Sequence, residues 1–219
     1  MTPTTIEVAG ESLELLPARA VFWRRASTLL VADPHWGKAA AFRAAGVPVP
    51  HGTTRHGLAE LTALCQSTAA QRVVFLGDFL HADTGRAPAT LQALSSWRAA
   101  HQTLDIVIVR GNHDRGAGDP PDFACVDAPL IEPPFVLRHH PTAHSGGYVF
   151  AGHLHPAFHL VGRGRQYERL PCFWFRERQA VLPAFGPFTG FATVRPTVGD
   201  RVYVIADDTV LAVQPARKR

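Results

Sequence analysis

Cysteine is scarce in this chain and scattered: Cys65, Cys125 and Cys172 are three of 219 residues. There is no Cys-x-x-Cys pair, so neither a disulfide framework nor a thiolate zinc knot is indicated, and each thiol reads as a buried apolar side chain. No apolar run approaches the roughly 20 residues that would span a bilayer. The opening stretch Met1-Thr2-Pro3-Thr4-Thr5 lacks the basic start and apolar segment of a secretory signal. The expectation is a cytoplasmic protein with no membrane attachment. A surplus of one charge is missing as well. The formal net charge is +4, but Arg217, Lys218 and Arg219 close the chain, and without them the net falls to about +1. Global charge is therefore weak support for nucleic-acid binding.

What is present fits one ordinary globular domain. Hydrophobic residues make up 46% and charged residues 18%, and the 18 Gly and 18 Pro are dispersed, which argues against low-complexity disorder. A chain of this length can bury one substantial core. No repeat or linker divides it. The reading is a single domain over 1–214 with a disordered basic tail at 215–219.

Along the chain, residues 5–16 alternate as a hairpin around Gly10-Glu11. Strands are expected at 20–23, 28–32, 72–76, 106–109, 135–138 and 148–151. A helix is expected over 51–70, with Leu58, Leu61, Leu64 and Cys65 at spacings of three and four. Another is expected over 88–101, with Pro88 in its first turn and Leu91, Leu94 and Trp97 on one face. Residues 116–134 carry no assignable pattern. Strands dominate the rest, at 158–161, 171–175 and 180–182, with a hairpin over 202–213 turning at Asp207-Asp208. Strand–helix–strand–helix–strand followed by strands indicates an α/β core with an added antiparallel part.

Five apolar runs each stop at a metal-capable residue: Asp33 and His35; Asp78; Asn112 and His113; His139 or His140; His153 and His155. Each has a bland alternative: a turn before Pro34, a helix cap, solvated loop histidines, or a same-face pair on an exposed strand. Strand ends of such sheets converge on one edge, where ligand sites lie, and that convergence favours a shared site. Carboxylate, imidazole and amide oxygen without thiolate suit manganese, iron or zinc. The candidates are too many for one ion and about right for two. Asp78, a lone mid-chain carboxylate, is placed to bridge them.

These motifs (Asp33-x-His35, Gly77-Asp78, Gly111-Asn112-His113-Asp114, a later His, and Gly152-His153-x-His155) resemble, in order and spacing, the calcineurin-like metallophosphoesterase superfamily. Further stretches are similar to its ligase-associated DNA damage response endonucleases of the PdeM type: Asp33-Pro34-His35-Trp36-Gly37-Lys38, Phe42-Arg43-Ala44-Ala45-Gly46, Gly77 to His81, Arg110 to Arg115, Gly152 to Pro156, Leu170 to Trp174 and Leu182 to Gly190. The resemblance implies a four-layer αββα sandwich, two mixed sheets flanked by helices. It implies that Asp33, His35, Asp78 and His155 hold one metal. Asp78, Asn112, His139 (or His140) and His153 would hold the other. The cofactors would be two divalent ions, manganese first, with iron or zinc as alternatives. A hydroxide bridging the ions would attack phosphorus, with His113 as general acid and Asp114 accepting from its ring.

The implied activity is a phosphodiesterase or endonuclease acting on DNA during repair. A DNA ligase and a helicase are partners by resemblance only. A phosphatase or pyrophosphatase acting on a nucleotide or lipid precursor is the competing enzyme. A non-catalytic scaffold is the third reading, opposed by the intact ligand set. His81, Lys38 and Arg115 are candidate substrate contacts, or else a helix start and solvated charges. Trp36 reads as a base-stacking or a packing residue. The arginines of 161–178, with Tyr167 and Trp174 interleaved, read as a single-strand groove or as the solvent face of two strands.

Overall fold

The computed structural model describes residues 2–161 and 167–213. Arg163, Arg165 and the 215–219 tail lie outside the described residues. One sheet runs in chain order: β1 (Thr4–Val8), β2 (Glu11–Leu16), β3 (Ala20–Trp23), β4 (Thr28–Val31), β5 (Arg72–Phe75), β6 (Asp105–Val109) and β7 (Ala124–Val126). It is antiparallel as far as β4 and parallel from β4 onward. That switch follows from the connections, because α2 (Thr53–Thr68) and α3 (Pro88–Ala100) cross back between parallel strands. Two shorter helices, α1 (Lys38–Ala44) and α4 (Asn112–Ala117), follow the ends of β4 and β6.

The second sheet is built from β8 (Leu130–Glu132), β9 (Phe135–Leu137), β10 (Tyr148–Ala151), β11 (Pro156–Val161), β12 (Tyr167–Phe175), β13 (Gln179–Val181) and β14 (Ala192–Thr193). Its order is β14-β11-β12-β13-β10-β9-β8. A hairpin of β15 (Arg201–Ala206) and β16 (Thr209–Val213) adds to β12. The expected mixed sandwich of two mixed sheets is what forms.

Strand periodicity sorts the core into layers. Leu29, Val31, Val73, Phe75, Ile106 and Ile108 point toward α2 and α3, meeting Leu58, Leu61, Leu94 and Trp97. Leu30, Val74 and Val109 point the other way, onto Phe135, Leu137, Phe150, Phe173 and Phe175 of the second sheet. The described helices all precede residue 118 and serve the first sheet. On the second sheet, Cys172, Val202 and Val204 pack with Val194, Phe158 and Leu160 instead.

The elements without a sequence forecast are α1, α4, β7, β8 and β14. Each is short, and β7 and β8 exist by pairing with β6 and β9 rather than by local pattern. Trp36 is buried in the core against Phe79 and Phe185, which settles its role as packing.

The inter-sheet layer should dominate stability. Phe150 is fully buried with its ring 4.9 Å from Phe135. Phe150→Ala should cost about 3–5 kcal/mol, read as a lowered urea midpoint. Val198→Ala, at a fully exposed side chain, should stay within about 0.5 kcal/mol. Equal midpoints for the two variants would contradict this layering.

Candidate metal centre

All five chemistry-bearing runs end on the same edge. β4, β5 and β6 are parallel, so the turns after Val31, Phe75 and Val109 emerge together. β9 and β10, parallel to each other in the facing sheet, deliver His139 and the His153–His155 turn. The turns then pair with one another beyond the strands. His35 and Trp36 donate backbone N–H groups to the carbonyls of Asp78 and Phe79 at 3.0 and 2.8 Å, and Phe185 donates to Ala32 at 2.8 Å.

The turns are sharp. Asp33, His35, Asp78, His153 and His155 all have left-handed backbone, with φ between 46° and 71°. Such conformations cost non-glycine residues about 1–3 kcal/mol each and persist where surrounding structure imposes them. Two glycines show how tightly the turns are stacked. A Cβ on Gly111 would collide with the Asp78 carboxylate, and one on Gly152 with the Asp33 carboxylate.

Asp33, His35, Asp78 and His139 are each buried to 4% exposure or less. Their polar atoms form two groups, and the hydrogen-bond network assigns the tautomers. In one, His155 donates Nδ1–H to the Gly190 carbonyl at 3.1 Å, which leaves Nε2 a bare lone pair. That Nε2 lies 3.3 Å from His35 Nε2 and 3.7 Å from Asp33 Oδ2, and His35 Nε2 lies 3.8 Å from Asp78 Oδ2. In the other, His139 donates Nδ1–H to the Leu76 carbonyl at 2.9 Å. Its Nε2 then faces Asn112 Oδ1 at 2.9 Å, His153 Nδ1 at 3.1 Å and Asp78 Oδ1 at 3.3 Å. Asp78 thus turns one oxygen to each group.

Acceptors crowd both groups: the bare His155 Nε2 stands near the Asp33 carboxylate, and the bare His139 Nε2 faces Asn112 Oδ1 and the Asp78 carboxylate. Asp33 Oδ1 is buried without any hydrogen-bond partner, and its Oδ2 accepts only the His153 N–H, at 2.8 Å. Burial, with Asp78 nearby, holds the Asp33 carboxyl well above the usual carboxylate range. Burial likewise pushes His35 down to about 2 and His139 to about 4, so these imidazoles are neutral near pH 7. Converging neutral imidazoles and buried carboxylates suit divalent cations, whose charge removes the repulsion. Geometric triads that could each hold an ion include Asp33, His35 and His155, and Asp33, Asp78 and His139.

The remaining candidates divide. His140 is exposed, its ring 4.2 Å from that of His153, while His139 occupies the buried position. The His113 ring is 37% exposed, with Nε2 3.9 Å from Asp78 Oδ2. It stacks on His81 at 5.2 Å and meets His35 edge-on at 5.1 Å. Lys38 is partly buried beside Asp33 and Asp78. Arg115 is exposed on α4.

The expected contact from Asp114 to the His113 ring is corrected. Asp114 instead accepts the N–H groups of Gly111 and Leu80, at 2.8 and 3.0 Å. The two residues are adjacent on α4, and helix neighbours one apart do not face each other. The carbonyls of Leu76 and Gly190, which fix the imidazole tautomers, had no signal in the sequence as oriented partners.

Comparison with solved structures places this arrangement. The Pseudomonas putida nuclease MPE is 43% identical, with a TM-score of 0.85, over 97% of this chain and 100% of that one. The chain belongs to this family of metallophosphoesterase-type nucleases. A phosphoesterase from E. coli, Yfce, aligns at 13% identity and a TM-score of 0.46, over 86% of this chain and 98% of that one. No family model and no curated protein matches.

Family membership leaves the packing at Gly111 open to direct test. Gly111→Ala should displace Asp78 and lower the divalent metal retained per chain, by elemental analysis. Gly116→Ala, in open space on the same helix, should keep the wild-type content. A Gly111→Ala protein with full metal and unchanged melting would refute the stacked-turn account.

Proposed function

We propose that the protein is a dinuclear-metal phosphodiesterase that cleaves DNA as a nuclease, and that it works in DNA repair. The observation that carries the reading is the pair of acceptor clusters sharing Asp78, one oxygen to each. Near-full-length similarity to a nuclease supports it. Asp33, His35, Asp78 and His155 would hold one ion, and Asp78, Asn112, His139 and His153 the other. The mixed oxygen and nitrogen donors favour manganese, with iron or zinc as alternatives. Bound ions would supply an activated water and neutralise charge on the phosphoryl oxygens.

The chain's own groups do the rest. The His113 ring stands at the half-open side of the cluster, where it can give a proton to the leaving oxygen. His81, its stacking partner, is pushed down to about 4, first by burial and then by Lys38. A neutral His81 holds His113 by ring contact and offers a hydrogen bond rather than a charge to the phosphate. Lys38 adds a positive charge beside the phosphate site. Asp114 ties the Gly111 turn to Leu80 and so fixes where α4 begins. By family resemblance, the reaction would run alongside a DNA ligase and a helicase.

His113→Ala should lower kcat by at least about 100-fold while manganese content stays at the wild-type level. Loss of metal in that variant would make His113 a ligand and overturn its role as acid. The diesterase reading is checked with bis-p-nitrophenyl phosphate and the corresponding monoester, in manganese and then with chelator. The diester should be preferred, and chelation should abolish turnover of both. Monoester preference would sink the phosphodiesterase reading.

A further inference from the structure

Phe188 is the one exposed phenylalanine among thirteen, at 43% exposure. Its backbone is left-handed, with φ of 61°. A bulky aromatic residue avoids that conformation, and burial is the ordinary fate of its ring. The chain therefore carries strain here in order to hold an apolar ring outward. Such an outlier points to a function at the ring itself.

The loop that bears Phe188 is anchored to the metal centre. Phe185 and Gly186 donate backbone N–H groups to Ala32 and Asp33, Thr189 Oγ1 donates to the Gly186 carbonyl, and the Gly190 carbonyl accepts from His155. Phe188 and His35 line one small crevice together. On its other side, Phe188 opens onto a cavity of about 950 Å³, where Phe191 and Phe185 form further apolar wall. The Arg169 guanidinium lies 5.4 Å from the centre of the Phe191 ring. His51 lines this cavity and also an adjoining one that carries Arg43 and Arg55. Arg19, Glu60, Asp207 and Asp208 also line the large cavity, and Arg43 and Arg55, with no acidic residue beside them in the adjoining one, make that the more cationic side.

From this placement we infer that Phe188 is a stacking platform for a nucleobase next to the scissile phosphodiester. The cavity beyond it takes the flanking single-stranded nucleotides, and their phosphates follow the Arg43–Arg55 side. An aromatic ring stacks any base, while a base held in a duplex cannot reach it, so this subsite selects unpaired strands without selecting sequence. The inference rests on the nuclease reading above.

The test uses two single-stranded oligonucleotides. One carries every base; the other has tetrahydrofuran abasic units on both sides of a single defined phosphodiester. Stacking one base is worth roughly 10- to 100-fold in affinity. Phe188→Gly, which relieves the positive φ and so spares folding, should raise KM about 10-fold at base-flanked positions and leave cleavage at the abasic position unchanged. Phe188→Trp should restore the wild-type KM. Equal impairment at both kinds of position overturns the platform and leaves the nuclease reading standing. A wild-type protein that cleaves neither oligonucleotide, yet hydrolyses small phosphate esters, overturns both.

Discussion

Two carboxylates, Asp33 and Asp78, are buried in one place, at 0% and 2% exposure. Like charges in a low-dielectric interior repel strongly, and burial with Asp78 nearby holds the Asp33 carboxyl well above the usual carboxylate range. The surrounding histidines do not resolve this, because burial keeps His35 and His139 neutral. Lys38 acts on both carboxylates but is only partly buried itself. Divalent cations would resolve it, since one carboxylate with an oxygen in each cluster could then serve two ions. Two of the imidazoles are committed to carbonyls, His139 to Leu76 and His155 to Gly190, and so turn bare nitrogens inward.

Holding that conflict in place requires rigidity, and the sandwich supplies it. Five left-handed residues at about 1–3 kcal/mol each would relax if the strands beneath them could shift. Asp33, His35 and Asp78 are fixed from below by β4 and β5, and His153 and His155 by β10, strands whose side chains are packed on both faces. They are fixed from the side by hydrogen bonds that carry the pairing past the last strand residues. The core thus serves the site directly, because a slip of one strand would separate Asp33 from Asp78.

Much of this was legible in the sequence, for a specific reason. A buried parallel strand must be apolar on both faces, so an abrupt stop at Asp or His stands out. That marks Thr28–Val31, Arg72–Phe75 and Tyr148–Ala151 together with their terminal residues. The helices α2 and α3 were legible by period. The seven residues of α1 bury only Ala39 fully, which leaves no periodic face to read. Four of the six residues of α4, Asn112 to Arg115, are motif residues, so chemistry masked their helicity. β7 and β8 are three residues each; β7 depends on a partner strand well back in the chain, and β8 is one short arm of a tight hairpin with β9. Side-chain direction was the weakest point. Asp114 follows His113 in sequence, and only the helix geometry shows that it points elsewhere.

That misplacement bears on how a proton donor can be oriented here. In the proposed reading no carboxylate grips the His113 ring, so its orientation comes from stacking on His81 and from the edge of His35. Ring packing fixes a plane without fixing a tautomer. Both imidazole nitrogens therefore stay free for substrate and solvent. An acid of this kind can give its proton to the leaving oxygen and regain one from water without first breaking an internal hydrogen bond. The carboxylate that might have gripped it has other work. Asp114 clamps Gly111 to Leu80, joining the turns after β6 and β5, and so sets the position from which His113 reaches the cluster.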